Sequence, residues 1–503
     1  MSPRTLGCSL TGFAVIAAVF RWLGWRVPVF KIPFLGNGTV GWIVVGVLLM
    51  AGLWLLWRGP REWQFSPLTL KQLQRFRSIR RGYFSFLLLV ALAGVASMDN
   101  LLVGKRALLV SYEGKLYAPF VTGVLPGEAF GLDYKSETDY RELQKKFRKE
   151  NKGNWLVMPP VPFAASLDAP QVTAQLEERE GLMYEMGSRE PFSGPAYSMF
   201  KEPETQKRQE IIYRKGIRSG EMRGWDAKGD QIEKGTYVQG KLENYVDFSN
   251  GGAAELVGAT MPEWWTLVYP PSAPSWHQKH FLGTNSSGGD VLAILFGGWQ
   301  QAIIAAVLFV SIVFVAGVVI GGTLGYFGGL YDLIGQRLVE IWSVLPFLFI
   351  VMIVSSIISP TLVVLVGILA IFGWVGTTTY LRTATYREKE RDYVAAAKLQ
   401  GASTARILFH HVLPNVVAIL VTLAPFEMAG VITSLAALDF LGFGLPPDYP
   451  SWGRLLQEGT ENFNYPWIVS SAFVAMVSVL VLVTFVGEAV REAFDPKKFT
   501  TYE

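Results

Sequence analysis

Between Ile341 and Leu381 the chain carries no charged side chain, and a second charge-free run, AIIAAVLFVSIVFVAGVVI, covers 302–320. A helix crossing a bilayer needs about 20 mostly apolar residues. The second run makes one span. The first is long enough for two, with Ser359-Pro360 as the natural break. Two more spans are expected at roughly 412–435 and 467–487. Upstream, Tyr83 to Ala96 with its flanks makes another, 40–57 is a further candidate, and 9–23 is a weaker one because Arg21 cuts its run short. Of the 503 residues, 50% are apolar and 17% charged, against about 25% charged in soluble domains. With a mean hydropathy of +0.30, the chain reads as a polytopic, all-α membrane protein. A net charge of +4 is too small to argue for nucleic acid as a partner.

Cys8 stands alone, which excludes an intrachain disulfide framework. Thr5-Leu6-Gly7-Cys8 has no apolar signal region before it, so lipid attachment is not expected, and no cleavable signal peptide is evident. The spans themselves are expected to drive insertion.

Lys and Arg near the span ends set the orientation. Residues 58–82 hold Arg58, Arg61, Lys71, Arg75, Arg77, Arg80 and Arg81 against Glu62, and 382–406 holds Arg382, Arg387, Lys389, Arg391, Lys398 and Arg406. Both segments are therefore expected in the cytoplasm. The four spans counted between them agree with this, and the tail REAFDPKKFTTYE also falls inside. An N-terminal hairpin would put Arg21, Arg26 and Lys31 outside, against the rule; an interfacial first segment is the alternative.

Residues 103–290 then form one extracytoplasmic insert, too long to be a plain loop. LLVSYEGKLYAPF (108–120) alternates around Glu113-Gly114 and reads as a β-hairpin. Within 205–245, Tyr213-Arg214-Lys215-Gly216 and Tyr237-Val238-Gln239-Gly240 bracket Trp225-Asp226-Ala227-Lys228-Gly229. Glycines three or four places after aromatics suggest repeated short hairpins. They resemble a small MORN-like repeat sheet; an ordinary antiparallel subdomain without repeat ancestry gives the same spacing.

One polar segment interrupts the apolar half. DYVAAAKLQGASTARILFHHVLPN (392–415) begins with a slim helix containing Ala395, Ala396 and Ala397. Gly401 ends it, because glycine accepts a left-handed backbone. Ser403 caps a second helix running through Ile407 and Leu408 towards Leu413-Pro414. The pattern resembles the EAA motif of ABC-importer permeases: Ala396, Ala397, Gly401, Leu413 and Pro414 fall at matching places, while Ala395 stands where that family often has Glu. HFLGTNSSGGDVL (280–292), LDFLGFGLPPDYPSWGRLLQEG (438–459) and GEAVREAFDPKK (487–498) resemble segments of oligopeptide and dipeptide permeases. RRGYFSFLLL (80–89) with LLVSYEGKLYAPF is similar to the microcin C/peptide-uptake subgroup of the second permease subunit. The resemblance covers about 70–135 and 276–500; residues 1–60 and much of 140–270 depart from it.

The resemblance implies a type I ABC-importer permease fold of six core spans, with one or two extra N-terminal helices and a mainly β periplasmic insert. The division is 1–60 for the extra helices, 61–102 for a basic segment and first core span, 103–290 for the insert, 291–490 for the core and 491–503 for a cytoplasmic tail. It further implies a multi-pass subunit of the bacterial inner membrane that moves peptides or peptide-like compounds. A second homologous permease would complete the pore, ATPase subunits would dock below and hold the ATP, and a periplasmic solute-binding protein would deliver from above. The segment 384–411 would couple the ATPase to the spans.

Tyr393, Val394, Ala395, Ala396, Ala397, Leu399, Gly401, Ser403, Leu413 and Pro414 are the candidate coupling residues; packing on the permease's own helix ends is the plain alternative for some of them. Arg391 and Lys398 are solvated or meet acidic lipid headgroups. Glu427, the one acid well inside an expected span, either lines the path or is hydrogen-bonded between helices. Adjacent His410 and His411 point about 100° apart on a helix and do not read as metal ligands, and His277 and His280 lack clear partners. Gly321, Gly322 and Gly325 read as helix-packing positions. Trp264 and Trp265 read as core residues sooner than as interface anchors. No G-x-x-x-x-G-K-[ST] loop occurs, and GTNSSGG (283–289) reads as a flexible approach to a span. The chain is therefore not expected to be an enzyme. A membrane-anchored sensor with a ligand-binding insert would not need an ATPase socket. A membrane enzyme would need clustered His or carboxylates at one depth, where only Glu427 is seen.

Overall fold

The computed structural model describes residues 3–22, 39–58, 67–98, 101–122, 124–132, 134–150, 153–165, 172–186, 190–199, 207–226, 228–247, 264–268, 270–276, 278–358 and 360–494. The chain divides into two compact units. The first holds Met1–Asp168, Ala273–Asn285 and Gly289–Glu503, and the second Ala169–Ser272 with Ser286–Gly288. The stretch 103–290, expected as one insert, is thus split between them.

The first unit opens with α1 (Pro3–Trp22) and α2 (Thr39–Arg58), each 20 residues, or about 30 Å of helix. They pack on each other through small residues: a Cβ on Gly52 would lie 2.5 Å from Thr11 Oγ1, and Ala14, Ala17 and Val45 are buried between them. The basic helix α3 (Pro67–Ser78) precedes α4 (Arg80–Ser97). Gly82 of α4 sits so close to Ala489 that a Cβ there would be 2.1 Å from it.

A small sheet follows, ordered β2–β1–β3, from β1 (Leu109–Tyr112), β2 (Lys115–Tyr117) and, after α5 (Pro119–Thr122) and α6 (Tyr140–Glu150), β3 (Trp155–Val157). Glu113 (φ 50°) and Gly114 (φ 75°) make the β1–β2 turn; two successive positive φ values define the tight hairpin turn that matches strand twist. Beneath it Phe130, Tyr140 and Leu143 are fully buried. Arg106 Nε donates to Glu137 Oε1 over 2.6 Å. Burial alone would raise the Glu137 carboxyl, but the hydrogen bonds and charges of Arg106 and Lys105 outweigh it and hold it below the ordinary carboxylate value.

The second unit is an antiparallel sheet of eight strands: β4 (Val172–Arg179), β5 (Leu182–Glu185), β6 (Gly194–Met199), β7 (Lys207–Arg214), β8 (Ile217–Trp225), β9 (Gln231–Val238), β10 (Lys241–Asp247) and β11 (Trp264–Val268). Their order is β10–β9–β8–β7–β6–β11–β4–β5. The pairs Glu180-Gly181, Lys215-Gly216 and Gln239-Gly240 all have positive φ and close successive hairpins. Leu176, Met183, Ala196, Ile211, Tyr213 and Met222 form its buried face. Trp264 and Trp265 lie in β11, paired with β4.

Returning to the first unit, the helical core comprises α7 (Val291–Phe327), α8 (Gly329–Val344), α9 (Phe347–Ile357) and α10 (Leu362–Glu388), then α11 (Asp392–Leu399) and α12 (Thr404–Arg406). A π-helical stretch, Ile407–Val412, leads into α13 (Leu413–Phe440), followed by α14 (Trp452–Glu461) and α15 (Pro466–Ala493). Among the described residues six helices are long and apolar enough to cross a membrane, or seven if the pair α8–α9, bent by 67°, counts as one. This is the helical, polytopic architecture expected.

The third core span differs from expectation. The run 341–358 was expected to cross unaided, but its helix α9 has only 11 residues. The bent pair α8–α9, a broken span or a re-entrant loop, instead starts at Gly329 and includes Asp332, Arg337 and Glu340. It breaks at Leu345-Pro346 because a residue before proline avoids the helical region, and Leu345 is extended at φ −60°, ψ 133°.

Candidate coupling site and membrane-end clusters

The polar segment is anchored by the way α11 ends. Gly401 is left-handed (φ 74°), its N–H donates to Lys398 O over 3.0 Å, and the Ala402 N–H donates to Ala397 O over 3.0 Å. These two bonds are the Schellman arrangement, which satisfies the last carbonyls of a helix. Ser403 Oγ accepts from the Arg406 N–H over 3.4 Å and caps the next turn.

Side-chain placement divides the candidate residues. Val394 (0% exposed) and Ala397 (6%) are buried against Leu381, Ala384, Ile407 and Val412. Both were candidates for the contact face or for packing on the chain's own helix ends; three-residue spacing turns them together into the chain's own core. Tyr393, Ala395, Ala396, Gly401 and Ser403 are exposed, and Leu399 is 91% exposed. Leu413 starts α13 half-buried and Pro414 is exposed in its first turn. Tyr393 fixes the segment from both sides: its hydroxyl donates to Glu388 Oε2 (2.7 Å) and accepts from Asn415 Nδ2 (2.8 Å). Partial burial, then the Glu388 bond, push its phenol above the ordinary value. Lys398 lies over the Tyr326 ring at 5.4 Å.

The result is a slim, rigid helix fastened to the ends of α10 and α13 by one face, with an aliphatic side chain standing free on the other. Such a surface can dock into a cleft of a second protein and pass its movement to two spans.

Two of the three packing glycines meet α10 directly. A Cβ on Gly321 would lie 2.5 Å from Thr378 O, and one on Gly325 would lie 2.5 Å from Arg382 O; nothing lies within 4 Å of one on Gly322. Arg382 was counted with the cytoplasmic cations. Its guanidinium is in fact engaged by Asp332, with Nε to Oδ1 and Nη2 to Oδ2 both at 2.5 Å. Inside α13, half-buried Glu427 accepts from Thr377 Oγ1 of α10 over 3.3 Å. His410 and His411 have rings 84° apart. His277 lies outside the described residues.

At the opposite end of the core, two clusters escaped the sequence reading. His280 is buried, with Nδ1 2.8 Å from Asp290 Oδ2 and Phe163 stacked on its ring at 4.0 Å. Asp290 also caps α7, accepting from the Ala293 N–H over 2.7 Å. The loop is therefore fastened: Asn285 Oδ1 accepts from the Gly289 N–H (2.7 Å), and Gly283 O from the Val291 N–H (3.1 Å). Both ends of GTNSSGG are thus held by hydrogen bonds. In the second cluster, Asp439 accepts from Ser451 Oγ (2.5 Å) and from the Leu445 N–H (2.7 Å). Arg454 Nη2 donates to Leu445 O (2.6 Å) and Pro446 O (3.0 Å). An acid ahead of a charge-free run and a serine ahead of Trp452 are the N-cap signals that could have marked Asp290 and Ser451; their partners across the loops leave no such signal.

Comparison with known proteins gives matches over most of the chain. Residues 315–500 match the family model described as binding-protein-dependent transport system inner membrane component. A peptidoglycan transport system permease protein, YejE of Agrobacterium fabrum, is 30% identical over 450 residues, 89% of this chain and 98% of that protein. The inner membrane ABC transporter permease protein YejE of Escherichia coli is 30% identical over 435 residues, covering 86% and 99%. The oligopeptide transport system permease protein OppC of Lactococcus lactis is 35% identical over 225 residues, covering 44% and 76%.

Proposed function

We propose, for a chain that belongs to the family of binding-protein-dependent transport system inner membrane components and is the membrane-spanning permease subunit of an ABC importer, that its cargo is a peptide or peptide-like compound. The names of its relatives support that cargo: one is a peptidoglycan and one an oligopeptide transport permease. Membership implies an ATPase and a binding protein as partners.

The observation that carries the coupling reading is the exposed face of α11. Tyr393, Ala395, Ala396, Leu399 and Gly401 are the proposed ATPase contact, with Ser403, Leu413 and Pro414 shaping its far side. Val394 and Ala397 are the proposed anchor that holds this face to the spans. With alanine at 395, the contact depends on shape more than on charge. The basic segments 58–82 and 382–406 support a cytoplasmic placement of this face, with the strand-rich region on the periplasmic side. A second, homologous permease is proposed to complete the pore. Glu427, half-exposed on a core span, is proposed to face the path, where a carboxylate suits a peptide amine. ATP hydrolysis is assigned to the partner, since the sequence has no phosphate-binding loop.

Purification of the tagged chain in mild detergent, with identification of what accompanies it, tests the assembly. An ATPase and a second permease are expected with it. Recovery without either contradicts the reading.

A further inference from the structure

We propose that the Asp332–Arg382 ion pair ties α8 to α10, so that α8 moves with the coupling segment as one arm and flexes against α9 at Leu345-Pro346. The proposal rests on the reading of α11 as the ATPase contact, and it assigns both residues a positioning role.

Four observations lead to it. First, α11 is joined to α10 without a flexible gap. The Arg391 N–H donates to Glu388 O, and the Val394 and Ala395 N–H groups donate to Arg391 O, at 2.9–3.2 Å. Arg382 lies within the last two turns of α10.

Second, α8 has few other attachments. Leu330, Leu338, Ile341 and Val344 are each more than 60% exposed, and only Asp332 and Val339 are buried. Beside the ion pair, Gly335 meets Leu324, Tyr331 Oη donates to Thr323 Oγ1 over 3.4 Å, Trp342 Nε1 donates to Ile371 O over 2.8 Å, and the Trp342 ring stacks at 5.8 Å on Phe372, which Phe347 of α9 also meets at 5.6 Å.

Third, the ion pair is the parallel two-bond form, with both contacts at 2.5 Å. This fork fixes direction as well as distance, which a single contact to lysine would not. Asp332 is 8% exposed, so separating the pair would strand a carboxylate in a poorly solvated place.

Fourth, Gly325 brings the α7 backbone against α10 at Arg382 itself. The cytoplasmic halves of α7, α8 and α10 are thus locked together. The weak point is the next joint: α8 and α9 meet at 67° across a proline. A push on α11 is therefore relieved at Leu345-Pro346, between α8 and α9.

The test uses the assembled importer in lipid nanodiscs, with Cys8 replaced by serine and spin labels at positions 338 and 353, on the exposed faces of α8 and α9. Adding ATP with vanadate is expected to shift the 338–353 distance by about 2 Å or more, the size of helix movements in such switches. Asp332→Asn and Arg382→Gln should abolish the shift while the complex still hydrolyses ATP. The reciprocal exchange, Asp332→Arg with Arg382→Asp, should restore it. Where a single variant does not assemble, Arg382→Lys decides, since it keeps the charge and loses the fork: a reduced shift supports the proposal and a full one overturns it. A full shift in the assembled single variants, none in the wild type, or no recovery in the exchange also overturns it. A label at Leu399 separates the two readings. If it stays mobile on addition of ATP and vanadate, the docking reading has failed; if it is immobilised while 338–353 does not respond, only the present proposal has.

Discussion

Replacing Gly325 with leucine is expected to prevent assembly of the helical core, leaving little importer in the membrane. The reason is a backbone contact. Even the first carbon of a side chain at 325 would sit 2.5 Å from Arg382 O and 2.8 Å from Thr385 Cβ. Backbone oxygen cannot rotate away, so α7 and α10 must separate. Separation removes contacts along α7 among Ala302, Ala305, Ala306, Phe309 and Val313, all in the main core. Overpacking of a close-packed interior costs about 1–3 kcal/mol and occasionally more, and a helix crossing without slack belongs at the upper end. The matched control is Gly322→Ala. One position after Gly321, which does meet α10, a Cβ at 322 meets nothing within 4 Å, and alanine favours helix by about 1 kcal/mol over glycine. Membrane levels and thermal stability of the purified complex should fall for Gly325→Leu and hold or rise for Gly322→Ala. Equal behaviour of the two would contradict the packing described.

Gly401→Val is the second large effect, and it acts differently. Nothing lies within 4 Å of a Cβ at 401, so the substitution creates no clash. Its cost is the backbone: φ is 74°, and a left-handed conformation costs an ordinary L-residue about 1–2 kcal/mol, with β-branched residues worse. The helix end then loses its two closing bonds, and α11 frays towards Ala397. Each 1.4 kcal/mol lowers the population of the docking-competent form about tenfold. ATP-driven uptake should therefore drop by about an order of magnitude or more while the spans and their assembly survive. Asn, which tolerates this conformation, should retain most uptake. Unchanged uptake in Gly401→Val would mean that the segment does not couple.

These two glycines also show how much of the molecule was legible in the sequence. Gly401 was readable because its role is local: a helix pattern stops there, Ser403 restarts it, and both signals lie within a few residues. The tight turns at Glu113-Gly114, Lys215-Gly216 and Gln239-Gly240 were legible for the same reason, as was the separation of α9 from α10. Gly321, Gly322 and Gly325 looked equivalent because three residues in one window do not reveal which face a neighbour occupies. Val394 and Ala397 could not be told apart from the exposed residues of α11 for that reason too. Helical phase was available, but the side covered by the chain's own core was not. The bend between α8 and α9 was not legible, because Asp332, Arg337 and Glu340 place charges ahead of the apolar run. Asp332 is accommodated by Arg382, fifty positions away, and Glu340 by neighbouring Arg337 at 2.6 Å. The pairings of Asp332 with Arg382, of His280 with Asp290 across a loop and of Asp439 with Ser451 belong to tertiary structure and leave no periodic trace.

The central claim is that the exposed face of α11 is where the ATPase meets this permease. Site-specific photo-crosslinking in intact membranes tests it most directly, with the crosslinker placed in turn at Leu399, Ala396 and Val394. The face described predicts strong adducts with the ATPase from 399 and 396. From buried 394 it predicts adducts within the permease itself. Adducts with the ATPase from 394 but not 399, or from none of the three, would contradict it.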